Sequence, residues 1–154
     1  VRLLRGKSLQ VTVAESCTGG LVSAALTDVP GASEVFGCGI CAYSNDIKLK
    51  LLGVRRQTLD EFGAVSAQTA REMAAGVRKL TGADIAIAIT GIAGPGGGSV
   101  EKPVGLMYFA IDSDAYQQTE QRTLSRGHKE ERDFIRHMAT LHALNMIRMA
   151  ANRL

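Results

Sequence analysis

The chain has 154 residues, 45% of them hydrophobic and 21% charged, which fits one globular domain built around a single core. Its formal net charge is only +3, with acids and bases mixed along the chain, which argues against a nucleic-acid binder. No apolar run approaches the ~20 residues that span a bilayer, and three cysteines are too few for a disulfide framework.

The opening VRLLRGKSLQ lacks the long apolar stretch of a signal peptide, so a cytoplasmic setting is expected. Gln10 to Ala14 alternates as a short strand, and ESCTGG then breaks it. Leu21, Val22, Ala25 and Leu26 mark one face of a helix. DVPGAS is a turn, and Phe36 to Tyr43 reads as a second strand. Ser44 or Asn45 is placed to cap a short helix that Gly53 ends. Thr58 and Glu61 have capping-box spacing for another short helix. Ser66 is predicted to cap a longer helix over 67–80, with Gly82 just beyond it.

Ala83 to Thr90 is the best candidate for a central strand, because its near-continuous apolar character suits burial on both faces. Gly91 to Gly105 is a long Gly/Pro loop. Strands over 106–113 and 118–124 follow with no helix between them, so they form an antiparallel hairpin. A helix over 130–152 closes the chain, with Phe134, Met138, Leu141, Leu144 and Ile147 three or four apart. Strands separated by helices imply an α/β fold: a three-layer α/β/α sandwich with a mixed, mostly parallel sheet.

Three segments can carry chemistry. In Ala14-Glu15-Ser16-Cys17-Thr18-Gly19-Gly20 a strand gives way to a helix, which exposes a side chain at the sheet edge among main-chain N–H groups. A serine there can attack a carbonyl while those groups hold the oxyanion, although Ser16 or Thr18 also fits a plain helix cap. Tyr43-Ser44-Asn45-Asp46-Ile47-Lys48 follows the second strand. It puts Lys48 in the first turn of a helix, where the dipole disfavours a cation; an exposed lysine fits the same pattern. Thr90-Gly91-Ile92-Ala93-Gly94-Pro95-Gly96-Gly97-Gly98-Ser99 offers many N–H groups to a phosphate or oxyanion, with Lys102 adding charge. It is not a P-loop, because no Gly-Lys-Ser/Thr follows the glycines. Cys38 and Cys41 have zinc-like spacing, but in a strand they point to opposite faces and no second pair completes a site.

In this order AESCTGG, YSNDIK and TGIAGPGGGSVEKPVG resemble the CinA C-terminal domain family. GASEVFGCGICAYSNDIK and FGAVS are similar to its intervening segments, so the resemblance covers 12–111 and, in outline, the rest. The family includes nicotinamide mononucleotide deamidases, so the resemblance implies an amidohydrolase that yields nicotinic acid mononucleotide and ammonia. It also implies a homo-oligomer that needs no metal or organic cofactor. Carried onto matching positions, Ser16 is the nucleophile, Lys48 its base and Tyr43 a nearby helper. Cys17, Thr18, Gly19, Thr90, Gly91, Gly94, Gly97, Gly98, Ser99, Lys102 and Arg132 would line the pyridine-nucleotide site.

The family tends to carry two arginines four apart near the last helix, as Arg132 and Arg136 are, but the segment before Arg132 departs from its pattern. Two other readings stay open: a family member that binds a nucleotide without turning it over, and a subunit whose role is assembly. The amidase reading makes a demand on Lys48. An unperturbed lysine, with a pKa of ~10.4, is neutral in only about 1 of 2,500 molecules at pH 7.

Overall fold

The computed structural model describes residues 1–128 and 131–154. Its sheet has five strands: β1 (Val11–Glu15), β2 (Phe36–Cys41), β3 (Ile85–Gly91), β4 (Leu106–Asp112) and β5 (Gln118–Thr123). Their order is β2-β1-β3-β4-β5. β1 pairs in parallel with β2 and β3, while β4 is antiparallel to both β3 and β5. Four strands therefore run one way and only β4 opposes them, which is the expected mixed, mostly parallel sheet. The hairpin of β4 and β5 is also as expected.

Six α-helices and one 3-10 turn (Ala32–Glu34) complete the described chain: α1 (Arg2–Gly6), α2 (Leu21–Thr27), α3 (Asn45–Leu52), α4 (Arg56–Phe62), α5 (Ala67–Thr81) and α6 (Arg132–Arg153). Strand periodicity sorts the core into two faces. Val11, Val13, Ile85, Ile87, Ile89 and Phe109 pack against α2 and α6. The alternate residues Ala14, Ala86, Ala88 and Ala110 pack against α5. Their small side chains let that helix lie close to the sheet. α5 also lies close to α3: a Cβ at Gly76 would sit 1.8 Å from the Leu52 carbonyl oxygen.

The local caps form as anticipated. Ser44 Oγ accepts from the Ile47 N–H at 3.3 Å, and Gly53 ends α3 in the left-handed region. Ser66 Oγ accepts from the Thr69 N–H at 3.2 Å, and Gly82 ends α5 in the same way. Two expectations are corrected. Thr58 does not cap α4, because the Glu72 carboxylate takes the Arg55 N–H at 2.8 Å and the helix starts earlier. Thr58 instead lies inside α4 and donates to Glu72. Residues 2–6, read without an element, form α1, which buries Leu4 in the core. The expected helix start at Glu130 lies outside the described residues.

Candidate active site

The first three parallel strands end on one edge of the sheet, and the segments following them carry all three sequence motifs. The chain runs from β1 out to β2 on one side and then to β3 on the other. The edge beside β1 and β3 is therefore a topological switch point, where α/β sheets bind ligands.

Ser16 stands at the tip of β1. Its N–H donates to the Ile89 carbonyl at 3.0 Å, and its own carbonyl accepts from Gly19 at 3.1 Å. Glu15 closes the turn from beneath. Its buried carboxylate accepts from the N–H groups of Gly20 (3.0 Å), Val22 (3.1 Å) and Ser23 (2.9 Å) and from Ser23 Oγ (2.8 Å). A strand residue thus caps α2, whose own N-cap position, Gly20, has no side chain to do so. Sequence reasoning assigned Glu15 no role. The available signal was an acid placed five residues before a glycine-started helix.

Lys48 reaches the tip of β1 from α3. Its Nζ lies 3.1 Å from Ser16 Oγ and donates to the carbonyls of Ala42 at 2.7 Å and Tyr43 at 3.3 Å. The residue is only 1% exposed. Removing the ammonium from water lowers its pKa below the ordinary lysine value. Burial is the leading cause of this shift. Two carbonyl oxygens and the Ser16 hydroxyl oxygen surround Nζ, three acceptors for the three N–H groups of an ammonium. When the amine is neutral, the carbonyls hold its two N–H bonds and its lone pair faces the serine hydroxyl.

Cys17, expected at the substrate site, turns its side chain into the core, with Sγ 3.4 Å from Met107 Sδ. Burial pushes its thiol up to about 12, although the Cys17 and Thr18 N–H groups act against that push. Thr18 is fully buried, and its Oγ1 has no partner among the described residues. The carbonyls of Cys17 and Thr18 accept from Arg136 of α6, at 3.2 Å and 2.9 Å.

Tyr43 lends its carbonyl to Lys48, while its side chain is 63% exposed and its hydroxyl accepts from Arg132 Nη2 at 3.4 Å. Arg132 Nη1 donates to the Gly94 carbonyl at 2.7 Å. One guanidinium thereby links the glycine-rich loop to Tyr43. Beside it opens a cleft of about 480 Å³ whose lining includes Ala93, Pro95, His128 and Arg132.

Several residues expected to face a ligand are engaged within the protein. Thr90 Oγ1 donates to the Ala64 carbonyl at 2.7 Å. Ser99 Oγ accepts from the Lys102 N–H at 3.0 Å, closing a turn. Lys102 Nζ donates to the carbonyls of Phe62 at 2.6 Å and Val65 at 2.9 Å, so its charge ties the loop to the α4–α5 connection. Gly91 is needed for packing, since a Cβ there would lie 2.1 Å from Met107 Sδ. Gly94 and Gly97 take positive φ values of 76° and 83° that shape the loop. Gly98 has no room for a side chain, with a Cβ 2.9 Å from the Val104 nitrogen, and Gly19 takes φ 60° in the serine turn. No group of three metal-ligating side chains occurs among the described residues, and none of the described helices is long and apolar enough to cross a membrane.

A mixed α/β sandwich with a serine–lysine pair at the carboxyl edge of its parallel strands defines the class. The description of the CinA C-terminal domain matches residues 1–151, and the chain belongs to that family. It is 49% identical over 150 residues to a CinA-like protein of Kosmotoga olearia, covering 97% of this chain and 35% of that protein. It is 50% identical over 149 residues to a CinA-like protein of Desulfovibrio desulfuricans, covering 96% and 35%. The chain thus spans about a third of the length of these curated relatives. Among solved structures it superposes on the competence/damage inducible protein CihA of Agrobacterium tumefaciens with a TM-score of 0.90. That pair shares 43% identity, with 97% of this chain and 88% of the other covered. A CinA superfamily protein from Enterobacter cloacae gives a TM-score of 0.89 at 34% identity, covering 97% and 86%.

Proposed function

We propose that the domain is an amidohydrolase that converts nicotinamide mononucleotide to nicotinic acid mononucleotide and ammonia. The observation that carries this reading is the buried Lys48 amine, 3.1 Å from a half-buried Ser16 hydroxyl and tethered by two carbonyls. Family membership supports the same reading; the named substrate comes from the sequence resemblance.

In the proposed reaction the neutral Lys48 amine takes the Ser16 proton as Oγ attacks the carboxamide carbon. Main-chain N–H groups of the serine turn and the glycine-rich loop hold the oxyanion. The tetrahedral intermediate collapses, the C–N bond breaks, and the Lys48 ammonium gives its proton to the departing nitrogen, releasing ammonia. A water then attacks the acyl-serine and yields its proton to Lys48. Breakdown frees the acid and returns a proton to Ser16. Arg132 and the adjoining cleft suit the substrate phosphate, because a guanidinium pairs with phosphate in bidentate fashion.

The test is ammonia release from nicotinamide mononucleotide, with Ser16→Ala alongside. Turnover by the wild type and a loss of at least ~10³-fold in the variant are expected. Binding of the nucleotide without release of ammonia would favour a non-catalytic nucleotide-binding domain instead.

A further inference from the structure

We infer that Arg136 is a positioning residue that holds the serine turn in register with Lys48. The inference rests on the serine–lysine reading above. Arg136 belongs to α6 and meets the turn across 119 positions of sequence, with Nε donating to the Cys17 carbonyl and Nη2 to the Thr18 carbonyl. Each carbonyl shares a rigid peptide plane with the next N–H. Holding Cys17 O sets the Thr18 N–H, and holding Thr18 O sets the Gly19 N–H, which donates back to the Ser16 carbonyl.

Glu15 works on the other chemical sense of the same turn, accepting from Gly20, Val22 and Ser23. A cation on the carbonyls and an anion on the amides therefore fix the segment that carries Ser16. The Ser16–Lys48 contact depends on that placement, and ~1 Å of misplacement costs on the order of 100-fold in rate. Arg132, one helical turn earlier, donates among the described residues to the glycine loop and to the Tyr43 hydroxyl. The two arginines accordingly divide the work: Arg136 sets turnover and Arg132 sets substrate affinity.

The experiment compares wild type, R136K and R136M in the full chain. It measures ammonia release from nicotinamide mononucleotide and hydrogen exchange of peptides spanning residues 11–24. A drop in kcat of ~100-fold for R136M is expected. R136K should recover part of it, since lysine keeps the charge but not the two-point fork. KM should stay within about threefold, because substrate binding is left in place. Exchange over the serine turn should quicken in both variants. A rise in KM with kcat retained would make Arg136 a substrate anchor and overturn the inference, as would unchanged exchange at the turn. If R136M does not fold, R136K carries the comparison. If the wild type releases no ammonia, the functional reading fails, and hydrogen exchange alone then decides for or against the brace.

Discussion

Two corners of the molecule are built around a lysine with nearly the same partners. At the α3 corner Lys48 donates to the carbonyls of Ala42 and Tyr43; at the α4–α5 corner Lys102 donates to those of Phe62 and Val65. The difference lies in burial and in the third neighbour. Lys48 is almost wholly buried and faces a serine hydroxyl, whereas Lys102 is half-buried and no hydroxyl contact accompanies its carbonyls among the described residues. Two carbonyls around an amine make an anchor. Adding desolvation and a proton donor gives the setting of the base proposed at Lys48.

The sharpest way to break this comparison is Lys48→Arg. Arginine keeps a long side chain but stays protonated, so it cannot take the serine proton. A loss of ~10³-fold in turnover is expected, read by ammonia release at saturating substrate. Wild-type activity that persists in this variant would reduce Lys48 to a second anchor.

The same lysine gives a pH signature. Its pKa is lowered in the fold, so between that lowered value and the ordinary lysine value the unfolded chain binds more protons than the native one. Stability therefore rises with pH across this window and is lowest below it. Activity should climb on the alkaline side over the same range as the amine loses its proton. Lys48→Met should flatten the stability slope, measured by denaturant unfolding at several pH values, while the rise in activity is read from a pH–rate profile of the wild type.

Lys102→Met is expected to do the reverse. It leaves two half-buried carbonyls short of a donor, costing about 1 kcal/mol, or about 2–4 °C in Tm for a domain of this size. Turnover should stay within about threefold, because the serine–lysine pair is untouched. A large loss of kcat at constant Tm would show that this corner also belongs to the chemistry.

What the sequence discloses follows from the range of each interaction. The caps at Ser44 and Ser66 and the stops at Gly53 and Gly82 were legible because each is satisfied within a few residues. The central strand was legible because burial on both faces leaves an unbroken apolar run from Ile85 to Ile89. The gathering of three motifs on one edge follows from parallel strands, whose carboxyl ends point the same way. Partners far apart in sequence were not legible. Lys102 and Phe62 are 40 positions apart, and Arg136 and Cys17 are 119. Their donors look like free surface charges until the fold supplies carbonyls. Thr58 misled for the same reason, since its partner Glu72 lies on the next helix.

The smallest expected effect concerns the residue beside Ser16, the proposed nucleophile. Cysteine is intrinsically the stronger nucleophile, so local sequence alone leaves Cys17 a rival to Ser16. Their environments separate them. Ser16 is half-buried beside an amine, while Cys17 sits against Met107 with its thiol pushed up to about 12. At pH 8 only about one Cys17 in 10⁴ would be a thiolate, and burial denies it access to reagents as well. Cys17→Ala should therefore keep turnover within about threefold, while loss of core volume lowers stability by about 1 kcal/mol. Iodoacetamide on the native wild type should label Cys41, which is exposed, well before Cys17, as read by peptide mass mapping. Rapid labelling of Cys17 together with loss of activity would move the nucleophile one residue along the turn and leave Ser16 as its helix-end neighbour.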